Sequence, residues 1–208
     1  MKYGHTQWYG DLVVSEAPPR RRKASPALSP DDWADAGLHV IARQGWSALT
    51  VDSVAAWLRV TKGSFYWHFE NREAFLRTVL ARWRFMSSAG TLARVENIPD
   101  PRLRLRRILE LVIEETGPVE LDTAIWSARS EPLVAEAIDA ASRERLTLLT
   151  HVYRELGYSE GHARRWALAA YSAFVGLISM GGAARDLLRS PIERKAYARH
   201  IAELFVPG

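Results

Sequence analysis

Apolar residues along this chain recur at spacings of three and four, the rhythm of helices that bury one face. Alternation at spacing two, with turn dipeptides between the runs, is missing, so the pattern predicts an all-α protein. A first helix is expected from Ser29-Pro30-Asp31-Asp32. There a capping hydroxyl, a proline suited to the first turn and two carboxylates at the positive end of the helix dipole fall together. It buries Ala34, Leu38 and Ile41, runs to about Gln44 and stops at Gly45, while Trp46, Leu49 and Val51 continue into the core.

Thr50 caps a run at 51–58 in which Val51, Val54, Ala55 and Leu58 share one face. Arg59 and Val60 make a short connection, and Thr61 is placed to cap a second short helix over 62–68. Two helices joined in this way have the geometry that lays the second in the major groove of DNA. Asn71 caps a longer helix carrying Phe75, Leu76, Val79, Leu80 and Trp83 at helical spacing. After the break at Pro99-Asp100-Pro101, helices are expected over 102–115, 120–130, 132–156, 159–188 and 191–205. The pattern divides the chain into a disordered basic arm at 1–28, a helix–turn–helix head at 29–75 and a further helical domain at 76–208.

Composition changes this picture in a few places. The 208 residues include no cysteine, which excludes disulfides, thiolate catalysis and Cys-based zinc sites. The net charge is +4, and only four of the 28 basic residues are lysine. Arginine favours bidentate phosphate or carboxylate pairing, although genomic bias produces the same composition. The uncharged run 166–184 reaches the lower edge of a membrane span. Its many Ala, Ser and Gly residues and its close on Gly181-Gly182 fit a buried helix better. The first thirty residues hold no apolar core of a secretory signal, so a cytoplasmic protein is expected.

The segments Leu49-Thr50-Val51, Val54-Ala55, Val60-Thr61-Lys62-Gly63-Ser64-Phe65-Tyr66-Trp67-His68-Phe69 and Asn71-Arg72-Glu73-Ala74-Phe75-Leu76 resemble the head of TetR-type (tetracycline-repressor-like) bacterial transcriptional regulators. Three aromatic positions, the Lys-Gly-Ser turn and the Asn cap fall in the family's order. The resemblance implies a homodimer whose heads enter successive major grooves of a near-palindromic double-stranded operator. It also implies a C-terminal domain that binds a small-molecule effector and dimerises through its last two helices. Carried over by position, Lys62, Gly63, Ser64 and Tyr66 approach bases or phosphates. Tyr66, Trp67 and His68 contact the backbone, and Arg72 pairs with phosphate. Thr50 and Thr61 cap helices with groups that also face phosphate. Arg59 departs from the family, which usually has glycine there; a positive backbone angle would cost an arginine about 1 kcal/mol.

Each candidate has a plainer reading. Lys62 and Ser64 are also ordinary solvated surface, Gly63 a packing relief, His68 a structural histidine, and Trp67 a ring packed on the following helix. The run Arg20, Arg21, Arg22 and Lys23 is either a solvated tail or an arm reaching the minor groove. In the second domain Trp83, Met86, Ile113, Trp126, Tyr153 and Phe174 are candidate ligand contacts, with Thr123, Ser127 or His151 orienting the ligand; the competing reading is core. Ala169, Ala173, Gly176 and Met180, with Tyr197, Ile201 and Leu204, are the candidate dimer face.

The reading is a ligand-responsive repressor, with no cofactor, no metal and no membrane partner expected. Its competitor is a helical enzyme or small-molecule-binding protein without a DNA role. Against an enzyme, HExxH, GxSxG and phosphate-loop patterns are missing, and the histidines at 5, 39, 68, 151, 162 and 200 show no metal-ligand spacing.

Overall fold

The computed structural model describes residues 28–115 and 120–207, and all the regular structure among them is helical. The Arg20 to Lys23 run of the expected arm lies outside the described residues. The α-helices are α1 (Pro30–Gln44), α2 (Val51–Leu58), α3 (Arg72–Val95), α4 (Pro101–Glu115), α5 (Glu120–Ser127), α6 (Pro132–Glu155), α7 (Glu160–Met180), α8 (Gly182–Leu187) and α9 (Pro191–Phe205). Two 3-10 segments, Trp46–Ala48 and Lys62–Trp67, complete the head. None of the described helices is long and apolar enough to cross a membrane.

Compaction divides the chain into two units. The first holds residues up to 86 together with 120–137; the second holds 87–119 and 138–208. In the first, α1 starts on a reciprocal capping box: Asp32 N–H donates to Ser29 Oγ at 3.2 Å and Ser29 N–H to Asp32 Oδ2 at 2.7 Å. Every residue from Trp33 to Ala42 is buried, because α2, α5 and the 3-10 turn at Trp46–Ala48 all pack on α1. Leu49 is buried as expected, whereas Trp46 and Val51 are only half-buried. Trp83, fully buried on α3, donates its indole N–H to Asp122 Oδ1 of α5 at 2.8 Å.

In the second unit α9 packs along α4, and Leu105, Leu111, Val152, Tyr153, Ala163, Ala167 and Ala202 lie in one apolar cluster. Tyr153 stacks on Trp166 with centroids 6.0 Å apart and donates its hydroxyl to the Phe205 carbonyl at 2.7 Å. Burial, with the nearby Tyr158 a lesser cause, pushes that phenol well above its ordinary range. Arg104 pairs with Glu155, and the Arg102 guanidinium reaches the Pro207 carbonyl.

Two expected helices come out differently. The span 159–188 is broken by Gly181, whose φ of 53° and ψ of −116° leave the helical region and end α7 before α8. The span 120–130 stops at Ser127, and turns at Ala128, Arg129 and Glu131 lead to Pro132, which disfavours helix in the residue before it.

Candidate nucleic-acid interface

The head is built around a nest of rings. Trp33 of α1 meets Phe65, Phe69 and Phe75 edge-on at centroid distances of 5.6, 6.4 and 6.4 Å. Phe65 lies 5.2 Å from Phe69 and 5.5 Å from Phe75, and all four rings are buried. This nest pins the segment Lys62–Trp67 from below. Sequence reasoning passed over Trp33, which follows the polar cap Asp31-Asp32. The signal was its spacing of four to Gly37 and of eight to Ile41, which puts it on the buried face of the helix.

On the other side, α2 is held by Thr50, whose Oγ1 accepts from Ser53 N–H at 3.0 Å while Thr50 N–H donates to Ser53 Oγ at 3.0 Å. Trp57 of α2 stacks on His39 of α1 at 3.7 Å, so that histidine is structural. At the end of α2, Val60 N–H donates to the Ala55 carbonyl at 3.0 Å, and Arg59 takes φ 56° and ψ 42°. That is the left-handed helix stop usually given to glycine, and Arg59 is the one non-glycine residue with positive φ among those described.

The second short helix differs from expectation in type and length. It is a 3-10 helix ending at Trp67, with Ser64 N–H donating to the Thr61 carbonyl and His68 N–H to the Phe65 carbonyl. Gly, Ser and three consecutive aromatics are poor helix formers, and the tighter turn lets Phe65 and Phe69 both reach the nest. Thr61 occupies the N-cap position with extended backbone but makes no side-chain capping bond. Asn71 does cap α3, accepting from Ala74 N–H at 2.8 Å.

What the segment leaves outside is the chemically notable part. Tyr66 is 64% exposed and Trp67 88% exposed, against 1% for Phe65 between Ser64 and Tyr66. Trp67 therefore does not pack into the core. Lys62 and Gly63 are exposed, Ser64 is half-buried, and His68 is half-buried with its ring 6.3 Å from that of Trp33. Thr50, Thr61 and Arg72 are exposed, flanking the segment in sequence. The Lys62 ammonium forms an ion pair with Asp52 of α2 at 3.0 Å. That hydrogen bond, with the carboxylate charge, raises its pKa above the ordinary lysine value.

The ligand candidates fall in both units. Trp83, Met86 and Trp126 belong to the first, and Ile113, Tyr153 and Phe174 to the second. Trp83 and Tyr153 are fully buried with their polar atoms bonded. Ile113 is buried in a small cluster with Leu177, Ala198 and Ile201, and Phe174 is half-buried beneath the Arg145 guanidinium, 5.5 Å from its ring centroid. Trp126 differs: its Nε1 is buried without a hydrogen-bond partner, as is Thr123 Oγ1 one turn earlier on α5. Ser127 donates to the Ala124 carbonyl, and His151 lies exposed on α6. Among the described residues no group of three or more His, Asp or Glu side chains is arranged to hold a metal.

A short capped helix, a tight turn and a second short helix with exposed donors define a helix–turn–helix DNA-binding head. Residues 34–79 match the family model of bacterial regulatory proteins, tetR family. No curated protein matches the chain in sequence. Solved structures share its fold. A TetR transcriptional regulator from Legionella pneumophila superposes with a TM-score of 0.71 at 14% identity, over 88% of this chain and 100% of the other. A transcriptional regulator from Pseudomonas aeruginosa PAO1 gives 0.68 at 18% identity, over 86% and 90%. One from Saccharomonospora viridis, solved in complex with choline, gives 0.67 at 18% identity, over 84% and 95%.

Proposed function

We propose that this protein is a ligand-responsive repressor that binds a near-palindromic operator as a homodimer in the cytoplasm and is released by a small-molecule effector. The observation that carries the DNA side is the segment Lys62–Trp67: a buried Phe65 holds it in place while Tyr66 and Trp67 stand in solvent. Lys62, Gly63, Ser64 and Tyr66 approach bases and phosphates in this reading. Trp67, His68 and Arg72 contact the backbone, and Thr50 and Thr61 lie against flanking phosphates. The dimer sets two such segments about 34–36 Å apart, one turn of DNA.

The division of labour follows 29–75 for DNA and 76–208 for effector and partner. Exposed Leu168, Ala169, Gly176 and Met180 on α7, with Leu204 on α9, support the dimer face, since unpartnered apolar side chains at helical spacing favour burial against a second copy. Ile201 is already buried within the subunit and serves the face only from beneath. Among the effector candidates Trp126 is best supported, because a buried indole N–H without a partner is satisfied by a ligand acceptor. The choline complex of the Saccharomonospora protein shows the ligand-binding habit of a protein with this fold. Because α3 starts at the DNA head and continues into the second unit, it is the lever by which effector binding shifts the population away from the DNA-competent form.

The test is selection of duplexes by the purified protein from a random-sequence library. Enrichment of an inverted repeat supports the reading. Recovery of no sequence, or binding with no salt dependence, removes it.

A further inference from the structure

Asp52 is an anion on the DNA-binding face of a head that must meet a polyanion. It lies in the first turn of α2, two residues after the cap Thr50, where the helix dipole favours negative charge. Its Oδ2 is 3.0 Å from Lys62 Nζ, across ten residues of chain, and both side chains are well exposed. Apart from the favourable place of Asp52 at the helix start, the pair closes no cap and anchors no element. The α2 cap is closed by Thr50 and Ser53, and the segment 62–67 is anchored by Phe65. An exposed pair of this kind contributes little to stability, so its interest lies in what it does to binding.

The carboxylate gives Lys62 what a DNA phosphate would give it: a charge-assisted partner at hydrogen-bond distance. Any duplex that takes Lys62 must displace Asp52 and then leave that carboxylate facing phosphates. On random DNA the ammonium only exchanges one anion for another, and the repulsion is uncompensated. At a cognate site a base edge, such as guanine O6 and N7, repays the exchange. We propose that Asp52 is a specificity-determining residue that acts through Lys62, occupying the ammonium as an internal phosphate substitute and suppressing binding to non-cognate DNA. This rests on the reading of 62–67 as the DNA-contacting segment.

The experiment compares parent, Asp52→Asn, Glu70→Gln and Asp52→Asn/Lys62→Gln. Each is titrated by fluorescence anisotropy, over a range of KCl, against a duplex that the parent enriched from a random library and against a scrambled duplex of the same composition. Glu70 is an exposed acid of the same head, so its variant removes equal charge without touching Lys62. Asp52→Asn is expected to tighten binding to the scrambled duplex roughly three- to tenfold, to tighten the enriched duplex less, and to steepen the salt dependence on the scrambled duplex by about one counterion. In the double variant the steepening disappears, and melting of all variants stays at the parent value. Unchanged affinity for the scrambled duplex, an equal gain from Glu70→Gln, or weaker binding to the enriched duplex would each overturn the proposal. A parent that binds neither duplex would instead overturn the DNA-binding reading beneath it.

Discussion

Arg82 of α3 grips both carboxylate oxygens of Asp35 on α1, Nε to Oδ1 at 2.7 Å and Nη2 to Oδ2 at 3.1 Å. Asp35 is buried, and burial raises its carboxyl above the ordinary value of 3.8; the Arg82 hydrogen bonds and charge pull it back only in part. Removing Arg82 leaves a buried carboxylate unpaired, so Arg82→Ala should lose about 2–3 kcal/mol of stability in urea melts, reduced from the fully buried case because Arg82 is partly exposed. A loss under about 0.5 kcal/mol would show that water replaces the guanidinium.

The same carboxyl makes a pH prediction. Its folded value lies above its unfolded one, so the native state holds the proton more tightly. Its contribution is greatest below about pH 4 and declines as pH rises through the raised folded value. The stability of the parent relative to Asp35→Asn should therefore fall with rising pH across the acid range and then level off. A difference that grows with pH would reverse the assignment.

Gly37 sits mid-helix in α1 for lack of room. A Cβ there would meet Val79 Cγ2 at 2.9 Å, Leu49 Cδ1 at 3.3 Å and the Phe75 ring at 3.3 Å. Val79 is β-branched and stiff, so it cannot swing aside cheaply. Gly37→Ala gains helix propensity but overpacks the junction of α1 with α3, and a net loss of about 1 kcal/mol is expected in thermal melts. A stabilised variant would mean that the helices part without penalty.

Arg59 carries the opposite expectation. Glycine relieves its left-handed backbone but frees the unfolded chain, and Arg59→Gly should gain about 0.5–1 kcal/mol, or roughly 1–3 °C in melting temperature. A lower melting temperature would show that the arginine side chain stabilises the turn.

Much of this head was legible in the sequence because its signals are local. Ser29, Thr50 and Asn71 cap where their hydroxyl or amide oxygens predicted, and Arg59 adopts the positive angle that the resemblance implied by its usual glycine there. What depended on distant partners was not legible. Trp33 reads as a surface residue beside two aspartates until Phe65, Phe69 and Phe75 close over it. Thr61 makes no side-chain cap, and in the 3-10 turn Ser64 N–H donates to the Thr61 carbonyl rather than to its hydroxyl. The grouping of 120–137 with the head residues arises from α5 packing on α1, a pairing between segments some eighty residues apart that periodicity does not encode. The Asp52–Lys62 pair likewise joins two elements whose juxtaposition only folding creates.

The most direct measurement is the affinity of Lys62→Ala and Tyr66→Ala for a duplex enriched by the parent, read beside melting temperature and sedimentation. Both side chains are exposed, so fold and oligomeric state should remain those of the parent. Each variant should bind the duplex at least about tenfold more weakly, with a shallower salt dependence for Lys62→Ala. Parent-like affinity in both would contradict the account, because the segment held out by Phe65 would then not be what meets DNA.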